Sequence, residues 1–185
     1  MSDAARFEAF VREYQDMVFA TAVRLLGREA DAEDVAQTVF MRAFERFAEI
    51  GCSPSAAGWL KTVATNLSLN HLSRYRARWQ FFSELTRPDR TEGTDYSDSL
   101  VSPGSHALDL EHAELREELE RALKALPDHQ RVPLVLFHFE NASYQDIATA
   151  LGVSLGKVKT DIHRGREALK RQLSEIGRAS CRERV

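Results

Sequence analysis

Residues 143–166 constrain the chain more than any other stretch. Ser143-Tyr144-Gln145-Asp146 has the form of a capping box, with Asp146 in place of the usual Glu. Ile147, Ala148 and Leu151 then lie on one side of a short helix. Gly152 supplies a turn in which a positive φ is easy, and Ser154 can cap the helix that follows. That second helix buries Val158, Ile162, Leu169 and Leu173 and exposes Lys157, Lys159, His163, Arg164 and Arg166. A short bracing helix, a glycine turn and a basic second helix make a helix-turn-helix layout. The second helix is narrow enough for a major groove, and its bases can replace the counterions of DNA phosphates. A basic helix face is often only a solvated one. Two caps, the glycine and the basic cluster in register narrow the choice.

The same helical spacing recurs along the chain. Phe7, Phe10, Val11, Tyr14, Met17, Val18, Thr21 and Leu25 mark a first helix that Gly27 can end. Asp31 is placed to cap a second, with Val35, Val39, Phe40, Ala43, Phe44 and Phe47 on its apolar side. Residues 51–58 read as a loop broken by Ser53-Pro54. A third helix carries Leu60, Val63, Ala64, Leu67, His71 and Leu72 and ends in the basic, aromatic run Arg74 to Trp79. Leu108, Leu115, Leu119, Ala122, Leu123 and Leu126 indicate another. Val132, Val135, Leu136 and Phe139 indicate a short one, with Pro133 in its first turns or kinking it. The expected class is all-α: two small helical domains, residues 6–80 and 108–175, with 81–107 as a flexible linker rich in Pro, Gly, Ser and acids. Residues 177–185 lack the preceding helical period and read as a tail foreign to the protein.

A net charge of −3 argues against a nucleic-acid partner only if it is spread evenly, and it is not. Residues 54–90 carry six bases against two acids and residues 157–176 six against three, flanking a stretch over 91–120 with nine acids and one base. Basic zones of this kind are what a phosphate backbone requires. There is no run of about eighteen apolar residues and no basic start leading into an apolar core, so neither membrane insertion nor secretion is expected. Cys52 and Cys181 are the only cysteines, which fits a reducing cytoplasm and makes neither a disulfide framework nor a zinc set. No phosphate loop, metal spacing or nucleophile motif is visible, so no catalysis, metal or cofactor is expected.

Residues 125–131 (Ala-Leu-Pro-Asp-His-Gln-Arg), Tyr144 to Ala148, Val158-Lys159-Thr160 and His163 to Arg166 together resemble region 4 of ECF (extracytoplasmic function) sigma factors of bacterial RNA polymerase. Asp31 to Phe40 is similar to the polymerase-binding helix of region 2 in the same family. Trp59 to Asn66, with Asn70-His71-Leu72, is similar to its promoter-melting segment. The resemblance implies a transcription initiation factor that binds core RNA polymerase and promoter DNA, and an anti-sigma factor partner. It places Asp34, Gln37 and Phe40 on the polymerase. It also places Asn66 and Asn70 on the unpaired non-template strand of the −10 element, and Arg74, Arg76 and Arg78, alternating with Tyr75 and Trp79, form a mixture that suits the phosphates and stacked bases of that strand. Lys157, Lys159, Thr160, His163 and Arg164 fall in the major groove of the duplex −35 element, and Arg166 on a phosphate. Each assignment has a plainer alternative: Phe40 as core, the asparagines as helix surface, the arginines as a solvated helix end, His163 packed on the bracing helix.

Four positions depart from the family pattern. Thr38 stands where Glu is usual, Asp161 where a base is usual, Lys157 for a common Thr and Gly165 for a common Ala. A mid-helix Gly costs up to about 1 kcal/mol relative to Ala. Two other readings stay open in the sequence. One is a stand-alone helix-turn-helix regulator, which leaves the N-terminal motifs unexplained. The other is a sigma mimic that sequesters an anti-sigma factor, which Asp161 and the negative total charge favour.

Overall fold

The computed structural model describes residues 3–83 and 109–182, with side chains over 3–73 and 115–174. Every regular element among them is a helix, and the chain divides into two units, Met1–Thr86 and Arg87–Val185. Most of the expected linker, residues 84–107, lies outside the described residues.

In the N-terminal unit α1 (Asp3–Leu26), α2 (Glu29–Glu45) and α4 (Ala56–Ser83) pack against one another, with the single turn α3 (Phe47–Ile50) between α2 and α4. Phe10, Val18, Ala22 and Leu26 of α1 meet Ala32, Val35, Val39 and Ala43 of α2 and Leu60 and Ala64 of α4. The alanines let the helix axes approach closely, since side-chain size sets interaxial distance. Gly27 ends α1 in the left-handed region (φ 71°), its N–H bonded to Val23 O at 2.8 Å.

Asp31 is not the cap of α2. The N-cap is Arg28, extended and without a side-chain cap, and Asp31 sits in the first turn. There its carboxylate lies 3.4 Å from Arg28 and 3.7 Å from His71 Nε2, and it complements the positive end of the helix dipole. Phe47 is not on α2, which breaks at Arg46; its ring closes edge-on against Phe7 and Phe10. Gly58 belongs to α4 rather than to the loop, and the backbone of α4 runs to Ser83, past residue 80.

The C-terminal unit comprises α5 (Asp109–Ala125), α6 (Asp128–His138), α7 (Tyr144–Leu151) and α8 (Leu155–Arg182), with α8 against the other three. Leu123, Val132, Leu134, Val135, Ile147, Val158 and Ile162 form the buried centre. Leu115, expected on the apolar side of α5, is exposed. Pro133 lies beyond the first turn of α6 and removes one helical bond, that to the carbonyl of His129. The α5–α6 turn is locked by Arg131, which is buried. Its Nη1 donates to Leu126 O at 2.9 Å and its Nη2 to Asp128 Oδ1 at 2.6 Å. Asn141, at φ 52°, turns the chain from α6 into α7. The α8 backbone continues through Gly177 to Arg182, so the loss of apolar period there does not end the helix.

Candidate nucleic-acid interface

The bracing helix α7 has only eight residues, too few to stand alone, and is fixed at both ends. Ser143 Oγ accepts from Asp146 N–H at 3.1 Å while Asp146 Oδ2 accepts from Ser143 N–H at 3.3 Å, completing the reciprocal box. At the other end Gly152 is left-handed (φ 64°) and Val153 N–H bonds to Ala148 O at 3.1 Å, the six-to-one bond of a Schellman cap. Ser154 Oγ then accepts from Lys157 N–H at 3.3 Å and starts α8.

On α8, Val158, Asp161, Ile162 and Gly165 are buried. At about 100° per residue, the direction opposite that buried strip is occupied by Gly156, Thr160, His163 and Glu167, with Lys159 and Arg164 on either side. Lys157 and Arg166 fall at the two margins. Lys159, His163 and Arg164 are exposed, so His163 does not pack on the bracing helix. Thr160 is half-buried and its hydroxyl donates to Gly156 O at 2.9 Å.

Both marginal bases have partners within the unit. Lys157 Nζ donates to Asp161 Oδ2 at 2.8 Å, and Asp161 is only 5% exposed. The acid in the recognition helix is thus under the candidate surface and not on it. Arg166 Nε donates to His138 Nε2 at 3.2 Å, and its guanidinium lies 5.4 Å from the centre of the Phe137 ring. Phe137 in turn stacks on Tyr144, 4.8 Å away and 9° from parallel. Arg166 therefore ties α8 to α6 and, through Phe137, to the start of α7. Partial burial, and secondarily the charge of Arg166, hold the His138 imidazole below its ordinary pKa, in the neutral form that can accept this bond. Gly165 also has a packing reason. A Cβ there would come 3.3 Å from Gln130 O and 3.6 Å from Leu134 Cδ1, so α6 crosses α8 where the side chain is missing.

In the N-terminal unit Asp34 and Gln37 are exposed, whereas Phe40 is half-buried against the core. Sequence reasoning missed the continuation of this strip. Met41 and Phe44 are 64% and 61% exposed, although Phe44 was expected inside. Asp34, Gln37, Met41 and Phe44, at spacings of three, four and three, lie along one line of α2. Met41 and Phe44, two exposed large apolar groups one turn apart, make this line a candidate contact surface. The helical period could have shown this, because Phe44 sits well round the helix from Val35 and Val39.

Asn66 and Asn70 are exposed one turn apart on α4. Asn70 lines a groove of about 310 Å³ between α2 and α4, together with Leu67 and His71 of α4 and Asp34, Val35, Thr38 and Arg42 of α2. The structure thus brings together Asp34 and Asn70, expected to serve different partners, and leaves Asn66 outside the groove. Thr38 gives its hydroxyl to Asp34 O at 2.9 Å. Arg74, Arg76 and Arg78 lie on the α4 backbone with side chains outside the described ones. Among the described residues, no three His, Cys, Asp or Glu side chains cluster as a metal site would, and no helix is long and apolar enough to cross a membrane.

The family model for sigma-70 region 2 matches residues 10–78, and that for sigma-70 region 4 matches residues 116–169. The chain is 31% identical to the ECF RNA polymerase sigma factor SigW of Bacillus subtilis, over 94% of this chain and 92% of that protein. It is 32% identical to the RNA polymerase sigma-H factor of Pseudomonas aeruginosa, over 94% and 89%. It is 34% identical to the ECF sigma factor SigE of Mycolicibacterium smegmatis, over 91% of this chain and 62% of that one. With both region models matched in order and such relatives aligned along nearly its whole length, the chain belongs to the ECF family of RNA polymerase sigma factors.

Proposed function

We propose that the two units divide promoter recognition by the surfaces described above. The exposed line Asp34, Gln37, Met41 and Phe44 of α2, with Phe40 behind it, docks on core RNA polymerase. Asn66 and Asn70, followed by Arg74, Arg76 and Arg78, hold the unpaired non-template strand of the −10 element. An amide both donates to and accepts from a base edge, and alternating bases and aromatics suit phosphates and stacked bases. The α8 face enters the duplex −35 element: Lys159 and Arg164 meet phosphates on either side, and Thr160 and His163 the groove floor between them. The protein acts in the cytoplasm, without a covalent step of its own, and is held inactive by an anti-sigma factor.

The observation that carries this reading is the outward placement of Lys159, His163 and Arg164 on a helix whose brace is capped at both ends. The reading as a mimic loses the support it drew from Asp161, which lies beneath that face.

The test is transcription in vitro with sigma-free core polymerase and fragmented genomic DNA, followed by sequencing of transcript 5′ ends. New starts sharing two spaced upstream motifs are expected. Asp34→Ala should weaken core binding, Lys159→Ala should weaken upstream-element binding, and Asn66→Ala should impair opening with core binding intact. Core binding without any new starts would point to a mimic, and no core binding to a stand-alone regulator.

A further inference from the structure

The ion pair at the start of α8 sorts the bases of the recognition helix into two kinds. We propose that Asp161 is a positioning residue that holds Lys157 as an internal pair, so that α8 engages upstream-element phosphates through Lys159 and Arg164 and not through Lys157. This rests on the reading of α8 as the duplex-binding helix.

The buried ion pair supports it. Asp161 is buried on the side of α8 that carries Val158, Ile162 and Gly165, and its Oδ2 accepts from Lys157 Nζ at 2.8 Å. A carboxylate so placed has lost much of its water, and removing its cation would leave a desolvated charge without a counter-ion. Moving Lys157 to a phosphate therefore exchanges one ion pair for another and exposes Asp161 to the same phosphate field. The intrinsic helix physics does not explain the pair. A base in the first turn faces the positive end of the dipole, and a base four residues before an acid is the weaker order for a helical pair. The pairing follows instead from Asp161, which needs a cation and finds Lys157 one turn away. Lys157 is itself exposed and lies only about 20° round the helix from Arg164, so the ion pair and not its angular position sets it apart.

The consequence can be read from salt dependence. Each phosphate contact adds about 0.9 to the slope of log K against log salt, or about 3.5-fold in affinity between 50 and 200 mM. Holoenzyme assembled with the full chain would be titrated onto a promoter mapped by its transcript 5′ ends, across that range. Lys159→Ala and Arg164→Ala are expected each to lower the slope by about 0.9. Lys157→Ala is expected to leave it unchanged. Asp161→Asn, nearly the same shape, is expected to raise the slope by about 0.9 by releasing Lys157, and Lys157→Ala in the Asp161→Asn background should abolish that rise. The double variant separates release of a cation from any general change in folding, which would not depend on residue 157. If Lys157→Ala lowers the slope as much as Lys159→Ala, or if Asp161→Asn leaves it unmoved while Lys159→Ala lowers it, the proposal is overturned and the duplex-binding reading stands. If neither Lys159→Ala nor Arg164→Ala changes the slope, the duplex-binding reading fails and takes the proposal with it.

Discussion

Arg131 tests the account of the C-terminal unit most sharply, because it is a buried charge whose net worth could have either sign. It is 3% exposed, with Nη1 on the carbonyl of Leu126 just past the end of α5 and Nη2 on Asp128. Arg131→Met keeps an unbranched stem of similar length and removes the guanidinium. Asp128 loses little, since its side chain is 63% exposed and water can replace the lost partner; such exposed pairs are worth about 0–1 kcal/mol. The Leu126 carbonyl is different. It lies where water does not replace the donor, and an unsatisfied buried acceptor costs about 1–3 kcal/mol. That loss sets the expected destabilisation, and for a unit of this size about 1–3 kcal/mol lowers Tm by roughly 5–20 °C. Arg131→Ala should be worse, because it also removes the packing of the stem. The chain offers a convenient assay. Trp59 and Trp79, its two tryptophans, both fall in the N-terminal unit, so their fluorescence follows that unit while circular dichroism at 222 nm follows both. A lowered transition is expected in the dichroism melt of Arg131→Met and absent from its tryptophan melt. An unchanged or raised Tm would refute the reasoning, for it would mean that relief of guanidinium desolvation outweighs the orphaned carbonyl, as happens when some buried ion pairs are replaced by apolar groups.

Three further outcomes are expected. Ser143→Ala removes the acceptor for Asp146 N–H and should cost about 1 kcal/mol; amide hydrogen exchange should show protection in α7 falling about fivefold. Gly165→Leu places a Cβ 3.3 Å from Gln130 O and further atoms beyond it, so overpacking of about 1–3 kcal/mol should exceed the helix-propensity gain of about 1 kcal/mol and lower the urea midpoint. His138 titrates below its ordinary 6.5 in the folded protein, so the unfolded chain takes up the proton first. Stability should therefore fall as pH drops below that value and level off below the lowered native pKa. His138→Gln should flatten this part of the profile in urea titrations at pH 7.5 and 5.5.

The elements most legible in the sequence were those whose signals are local. Ser143, Asp146, Gly152 and Ser154 specify caps through their own backbone, and each does what its residue type suggests. The all-helical class followed from apolar spacing for the same reason. What escaped was decided by neighbours distant in sequence. Gly165 reads as a helix defect until Gln130 is seen against it. Asp161 reads as an intruder on a basic helix face until its burial is known, and the tie of Arg166 to His138 and Phe137 cannot be seen from residue type. Phe44 reads as core because aromatic residues usually are, yet it is 61% exposed and meets the Phe7 ring in a T-shaped contact. The groove shared by Asp34 and Asn70 could not be read at all, since it depends on how α2 and α4 cross.

The internal pairs also bear on how such a chain can hold a promoter. Between residues 157 and 166 the sequence carries four Lys and Arg residues, but Lys157 and Arg166 have partners inside the unit, so on the proposed reading the exposed Lys159 and Arg164 are the two left for phosphates. Two phosphate contacts give a salt slope of only about 1.8, far from that of proteins that bind DNA strongly on charge alone. On the proposed reading, the start of α8 by itself is then a weak ligand, and its occupancy depends on the second unit being engaged through the same chain. Tethering of that kind supplies an effective concentration on the order of millimolar, enough for a weak helix to be bound when its companion is docked and released when it is not. A larger free charge would loosen that dependence, because the recognition helix could then settle on any duplex without polymerase. The buried carboxylate of Asp161, by pairing with Lys157 inside the unit, works in the direction of that dependence rather than against binding.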